Sequence, residues 1–458
     1  NTLGAVAGTL AATFVLVPSF GFRATIHVLA AVNLICAAAL FAMGRAEEER
    51  APVNADMGDT PGATRINLTI LLAGFLGIGY EVLGVRVMSQ VLENTVYSFA
   101  SILSAFLFGT ALGGVAYQTL ARRRETRALL TFLVQSVAAA CMLGVIMLSQ
   151  AFAIYESLRQ LFGGGFGGSV VAEMVLALIV FLLPATLMGA LFSHLAQSAR
   201  QESGGVGRAL GLNTLGASLA PLVFGVLLLP AVGTKTTLIL AGLGYLLFVP
   251  ELRLRRMLPG GIALFLALLL VTVWPAGLTL IVGPPGGRVL SYREGVMATV
   301  SVLADAQGNR LLKVNNRFTM GGTPHANSPR LRAHLPLLLH PEPRRTLFLG
   351  LGAGVTFGAA ADHPDLRGEG VELIPEVTRL LPFFRQANGD LLNQRRLRVV
   401  VSDARRYVRA SRYQYDVVAA DLFHPSRDGA GSLYTVEHFQ AIRDRLAPGG
   451  IFCQWLPL

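Results

Sequence analysis

The sequence predicts a multi-pass α-helical membrane bundle with an internal duplication, followed by an α/β domain entered through a β-hairpin. Three observations carry that reading. Apolar segments of about 20 residues, the length a spanning helix needs, recur from Asn1 to Val282. A string of residues in the first two segments returns later in unbroken register. From Val289 the pattern changes to alternation, and then to strands separated by helical stretches.

Composition supports the first element. Hydrophobic residues make up 53% and charged residues only 14%, and the mean hydropathy is +0.56, far from a soluble average. The net charge of +11 does not point to nucleic acid. The basic residues are nearly all Arg, Lys235 and Lys313 being the exceptions, and many lie in short loops between apolar segments. That is the positive-inside pattern of a chain whose partner is a lipid bilayer. Cys36, Cys141 and Cys453 form no disulfide framework and no metal spacing. The chain begins at Asn1 inside an apolar segment and stops abruptly at Leu458. Both ends are therefore expected to be fragment boundaries.

Nine helices are expected, at 1–19, 23–44, 67–91, 96–120, 128–152, 170–196, 209–230, 235–250 and 260–282. Residues 1–46 are the end of a truncated first repeat, 47–65 a charged linker, 66–258 the second repeat and 259–282 a last transmembrane helix. The repeat rests on Asn1-Thr-Leu-Gly-Ala5, which returns as Asn213-Thr-Leu-Gly-Ala217. Pro18, Gly21, Arg23 and Thr25 likewise match Pro230, Gly233, Lys235 and Thr237. Duplicated bundles are a transporter architecture. Glu81 and Arg86 are a charged pair within one apolar segment, either a functional site, a structural ion pair or residues at the interface. Basic residues fill alternate loops: the linker, Arg122–Arg124 with Arg127, Arg200 with Arg208, and Arg253 with Arg255 and Arg256. These loops then face the cytoplasm of a bacterial inner membrane, and everything after Gly283 lies on the outer side.

Residues 283–345 are expected to hold the hairpin, Met297–Leu303 and Arg310–Val314, a polar loop and a short helix ending near His340. Residues 346–458 then read as a parallel, Rossmann-like nucleoside-binding domain. The apolar strand Thr346–Leu349 runs into Gly350, Gly352 and Gly354, and Glu372 ends a second strand about 20 residues beyond the glycines. The glycines let backbone approach a ligand, and the acid accepts hydrogen bonds from ribose hydroxyls. Further strands are expected at Leu397–Val401, Tyr415–Ala420 and Ile451–Trp455.

Function belongs at the carboxyl ends of such strands, where three acids fall: Glu372, Asp403 and Asp421. Asp403, before Ala404, accepts from an adenine amino group or caps a helix. Asp421 holds an amine or takes its proton. His424, beside Pro425, is a proton-transfer group or only a loop residue. His325, His334 and His340 lack ligand spacing, so no metal is assigned.

Residues His334-Leu-Pro-Leu337, the glycine loop, Val371-Glu372, Ser402-Asp-Ala404, Tyr415-Asp-Val417, Asp421 and Pro448-Gly-Gly-Ile451 resemble the spermidine synthase family of aminopropyltransferases. The whole chain resembles bacterial membrane proteins in which a transporter-like bundle is fused to such a domain. That resemblance implies transfer of an aminopropyl group from decarboxylated S-adenosylmethionine to putrescine. Glu372 would hold the ribose, Asp403 the adenine, and Asp421 would deprotonate and orient the amine. The departures lie in the amine half. The family's glycine-loop Asp is Ala353 here, and Leu422-Phe-His424 supply no second acid after Asp421. Pro329 and Arg330 replace a His-Glu pair, and Ile374 replaces an Asp. A dicationic acceptor needs carboxylates at both ends, because an unpaired buried ammonium costs several kcal/mol. The expectation is therefore a membrane-anchored transferase using S-adenosylmethionine or its decarboxylated form, with a small amine or another acceptor. Two alternatives remain: an accessory subunit of a membrane complex that keeps the fold, and a transporter with a soluble regulatory domain.

Overall fold

The computed structural model describes residues 2–44, 61–121, 126–202, 205–248, 258–273, 278, 280–324, 326–421 and 429–456. Two compact units result: Asn1–Met88 with Val96–Leu278, and Ser89–Thr95 with Thr279–Leu458.

The first unit is helical. It contains α1 (Thr2–Ala11), α2 (Val17–Gly44), α3 (Pro61–Met88), α4 (Val96–Ala121), α5 (Thr126–Ser149), α6 (Ala151–Phe162), α7 (Phe166–Glu202), α8 (Val206–Ala220), α9 (Leu229–Val232), α10 (Thr234–Gly244) and α11 (Leu258–Thr272). Among the described residues, six helices are long and apolar enough to cross a membrane by length and composition. They pack through small residues. A Cβ on Gly113 would strike the Thr186 carbonyl, and one on Gly216 the Leu71 carbonyl, so α4 meets α7, and α3 meets α8, at backbone contact. Away from those seams the helices show large apolar side chains outward, among them Leu34, Phe41 and Leu222.

The matched segments carry matching irregularities. Wide π turns occupy Ala12–Leu16 and Pro221–Leu228. Beyond each, a glycine leaves helical geometry: Gly21 at φ 73°, ψ 167° and Gly233 at φ 82°, ψ 159°. Thr25 and Thr237, next in the two strings, are both buried. The last helix is shorter than expected from 260–282. α11 is described over Leu258–Thr272, and residues 280–282 are not helical.

The second unit opens with β1 (Arg288–Glu294), β2 (Thr299–Ala304), β3 (Arg310–Val314) and β4 (Phe318–Gly322), an antiparallel sheet in the order β1-β2-β3-β4. The expected hairpin is its centre, β2 and β3, with Val302 opposite Leu312. The flanking strands escaped the pattern because β1 carries charged residues at both ends and β4 is rich in glycine. After α12 (Asn327–Leu339) come β5 (Arg345–Leu349), α13 (Val355–Gly358), β6 (Arg367–Glu372), α14 (Pro375–Leu380), β7 (Leu397–Val401), α15 (Ala404–Ala410), β8 (Tyr415–Ala420), α16 (Val436–Arg443) and β9 (Leu446–Gln454).

These strands form one parallel sheet ordered β7-β6-β5-β8-β9, which is the doubly wound half predicted from the glycine loop. Both faces are covered, as parallel sheets require. Phe348 turns to one side and packs with Phe357, Val417 and Ala419. Leu347 and Leu349 turn to the other, with Val408, Val418 and Ile442. At the start of β5 the Asp416 carboxylate accepts the backbone N–H groups of Arg344 and Arg345, both at 2.8 Å, which ties β5 to β8 before the ladder begins. The antiparallel sheet shares a core with this one: Val300, Val302 and Leu312 pack with Ala353, Val355, Val377 and Phe384.

Candidate functional site

The switch point of the parallel sheet lies between β5 and β8, whose chains leave in opposite directions around it. A cavity of about 780 Å³ opens there, lined by Gly350, Gly352, Glu372, Asp403, Ala404 and Asp421. These are six of the residues expected from sequence. Gly354 is not part of that lining and is the left-handed N-cap of α13. His424 lies outside the described residues.

The glycine loop is shaped by two neighbours. Gly350, at φ 83°, donates its N–H to Val371 O at 2.8 Å, continuing the β5–β6 pairing past the strand end. Gly352, at φ 52°, lies against the Met320 carbonyl of β4, where a Cβ would collide with it. The next residue donates to that carbonyl, Ala353 N–H to Met320 O at 3.0 Å. Ala353 is 2% exposed and belongs to the shared core.

Glu372 ends β6 at 4% exposure. Its Oε2 accepts the N–H groups of Leu351 at 3.1 Å and Gly352 at 3.4 Å, and its Oε1 accepts Ile374 N–H at 3.0 Å. The carboxylate therefore clamps the glycine loop to β6. Burial pushes its pKa up, against the lowering effect of those backbone donors. Asp403 lies at the end of β7 and N-caps α15, accepting Arg406 N–H at 3.0 Å. Arg405 approaches the same carboxylate at 3.9 Å, and Ala404 is the first residue of that helix.

Asp421 follows β8, its N–H donating to Leu349 O at 2.9 Å. Its carboxylate meets Arg332 of α12, Nη1 to Oδ1 at 3.2 Å, with side chains 29% and 27% exposed. The guanidinium also lies over the Trp455 ring, 5.5 Å from the centroid. Sequence reading missed Arg332, Arg405 and Met320. Arg405 adjoins a residue already singled out, so a helix register would have found it. Arg332 and Met320 lie far from the sites they serve and carry no local signal.

A second buried acid lies in the helical unit. Glu173 of α7 is 2% exposed and accepts Ser98 Oγ–H from α4 at 2.9 Å. A single acid in an apolar run has no charged neighbour to mark it in the sequence, whereas Glu81 has Arg86.

The comparisons with known proteins fit this geometry. The spermine/spermidine synthase domain family matches residues 329–455. Polyamine aminopropyltransferase 1 of Streptomyces coelicolor is 26% identical over 412 residues, covering 84% of this chain and 74% of that protein. A polyamine aminopropyltransferase of Thermotoga maritima is 30% identical over 124 residues, and this chain spans 41% of its length. The Streptomyces match is longer than the domain, so it includes much of the helical unit. A crystal structure of spermidine synthase from Thermotoga maritima aligns with 36% of this chain and 56% of its own, at 23% identity and a TM-score of 0.33, a likeness too slight to carry an argument.

Proposed function

We propose that the second unit is a spermidine synthase-type transferase, taking a group from an S-adenosylmethionine-type sulfonium and passing it to a nucleophile near Asp421. The observation that carries this is the convergence of the glycine loop, Glu372, Asp403 and Asp421 on one cavity at the sheet's switch point. A nucleophile attacks the carbon bonded to the sulfonium sulfur. The C–S bond breaks, its electron pair stays on sulfur to give a neutral thioether, and the nucleophile's proton leaves to a base such as the Asp421 carboxylate. In the relatives the reaction is aminopropyl transfer, as their names state. Calorimetric titration of the intact chain with S-adenosylmethionine, its decarboxylated form and 5′-methylthioadenosine tests the reading. Binding weakened at least tenfold by Glu372→Gln supports it, and no binding of any of the three overturns it.

The helical unit is proposed to be a duplicated bundle spanning a bacterial cytoplasmic membrane. The paired π turns and the paired glycines support the duplication. Loop charges support an outer-side position for the transferase domain, where its donor must then be reachable. A reporter fused after Leu458 decides: activity only in the cytoplasm overturns the outer placement.

Transport is a second reading, supported by the buried Glu173–Ser98 pair and by helix breaks at corresponding places in the repeat. Uptake of a polyamine by vesicles holding the protein, abolished by Glu173→Gln, would favour it. Absence of uptake would remove it.

A further inference from the structure

We infer that the Arg332–Asp421 pair is a subsite for an α-amino-acid headgroup, with the ligand's carboxylate on Arg332 and its ammonium on Asp421. The inference rests on the proposed reading and narrows it. It begins from the partners of the cavity's acids. Glu372 is held by three backbone N–H groups, Asp403 by a helix N-terminus and Arg405, and Asp421 by Arg332. An ammonium arriving at Asp421 therefore meets a neutral ion pair, not an anion. A diamine gains little there, and the second ammonium finds no further acid in the described cavity lining.

The same pair suits a zwitterion. Arg332 stays charged at any accessible pH and presents five N–H donors in a planar fork, the geometry that matches a carboxylate two bonds at a time. One nitrogen is taken by Asp421; the guanidinium carbon also lies 5.5 Å from the centroid of the Trp455 ring, a contact that uses no donor. Both side chains are more than a quarter exposed, and both line the cavity that holds the glycine loop. A ligand with adjacent ammonium and carboxylate groups replaces one long ion pair by two charge-assisted contacts and leaves no charge uncompensated. Two sources carry that chemistry: the methionine half of an intact S-adenosylmethionine, and a free amino acid serving as acceptor.

The test uses the full chain in detergent and three nucleosides: S-adenosylmethionine, its decarboxylated form, and 5′-methylthioadenosine, which has no amino-acid group. The expected result is at least tenfold tighter binding of S-adenosylmethionine than of the decarboxylated form. Arg332→Met removes that preference and leaves 5′-methylthioadenosine binding unchanged, which also shows that the variant is folded. Alternatively, the chain loaded with 5′-methylthioadenosine binds L-methionine and loses it in Arg332→Met, assigning the subsite to a free amino acid. Binding of 5′-methylthioadenosine with neither preference overturns the subsite and leaves the transferase reading standing. Binding of putrescine to the loaded chain in place of L-methionine also overturns it. If none of the nucleosides binds, the transferase reading falls and the subsite with it.

Discussion

The two ends of the cavity hold their carboxylates by different means. At the end formed by β5 and β6, Glu372 is gripped by main-chain N–H groups from Leu351, Gly352 and Ile374. At the end formed by β8, Asp421 is met by the side chain of Arg332, drawn from a helix outside the sheet. Main-chain donors come with the fold and cannot be exchanged by substitution. A side-chain partner can. So the nucleoside end is bound to the architecture, while the far end is free to change its charge and its ligand without costing the fold.

Substitutions at four positions sharpen or break that contrast, in falling order of effect. Glu372→Ala leaves three backbone donors without an acceptor, two of them on buried residues. At about 1–3 kcal/mol for each unsatisfied group, the domain is expected to lose several kcal/mol, seen as a shorter denaturant transition and loss of nucleoside binding. A variant as stable as the parent would end the claim that Glu372 is structural. Gly352→Ala sets a Cβ against the Met320 carbonyl at a positive φ, and should lower stability by about 1–3 kcal/mol, read as a fall in melting temperature. Asp403→Ala removes the α15 cap at a cost of about 1 kcal/mol, which Asp403→Asn largely restores. Asp421→Asn breaks a part-exposed ion pair and is expected to change stability by less than about 1 kcal/mol. A larger loss there would erase the distinction between the two ends.

The pH dependence of Glu372 gives an independent check. Burial raises its folded pKa above the unfolded value. Its contribution to stability is thus fully present below the unfolded value of about 4.3, and is lost as pH rises through the folded value. The stability of the native chain relative to Glu372→Gln should fall over that window and then level off. A difference that rises with pH would mean the backbone donors outweigh the burial.

Much of this was legible because its signals are local. A strand, glycines and an acid at the next strand's end are fixed by spacing alone, so Gly350, Gly352, Glu372 and Asp403 converge as expected. The capping role of Asp403 was one of two readings open from its place before Ala404, and the helix it caps is there. The Arg332–Asp421 pair joins residues 89 positions apart, and no periodicity records such a meeting. Met320 was hidden for another reason: its contribution to the loop is a backbone carbonyl, which every residue possesses.

That carbonyl has a consequence for how the domain comes together. Met320 O accepts Ala353 N–H and fills the space beside Gly352, while Val300, Val302 and Leu312 share a core with Ala353 and Val355. The antiparallel sheet thus serves as a mould for the glycine loop. Opening of the mould and loss of the ligand cradle should be one cooperative event. Amide hydrogen exchange at Ala353 ought then to report on strands encoded thirty or more residues earlier, and to slow with them.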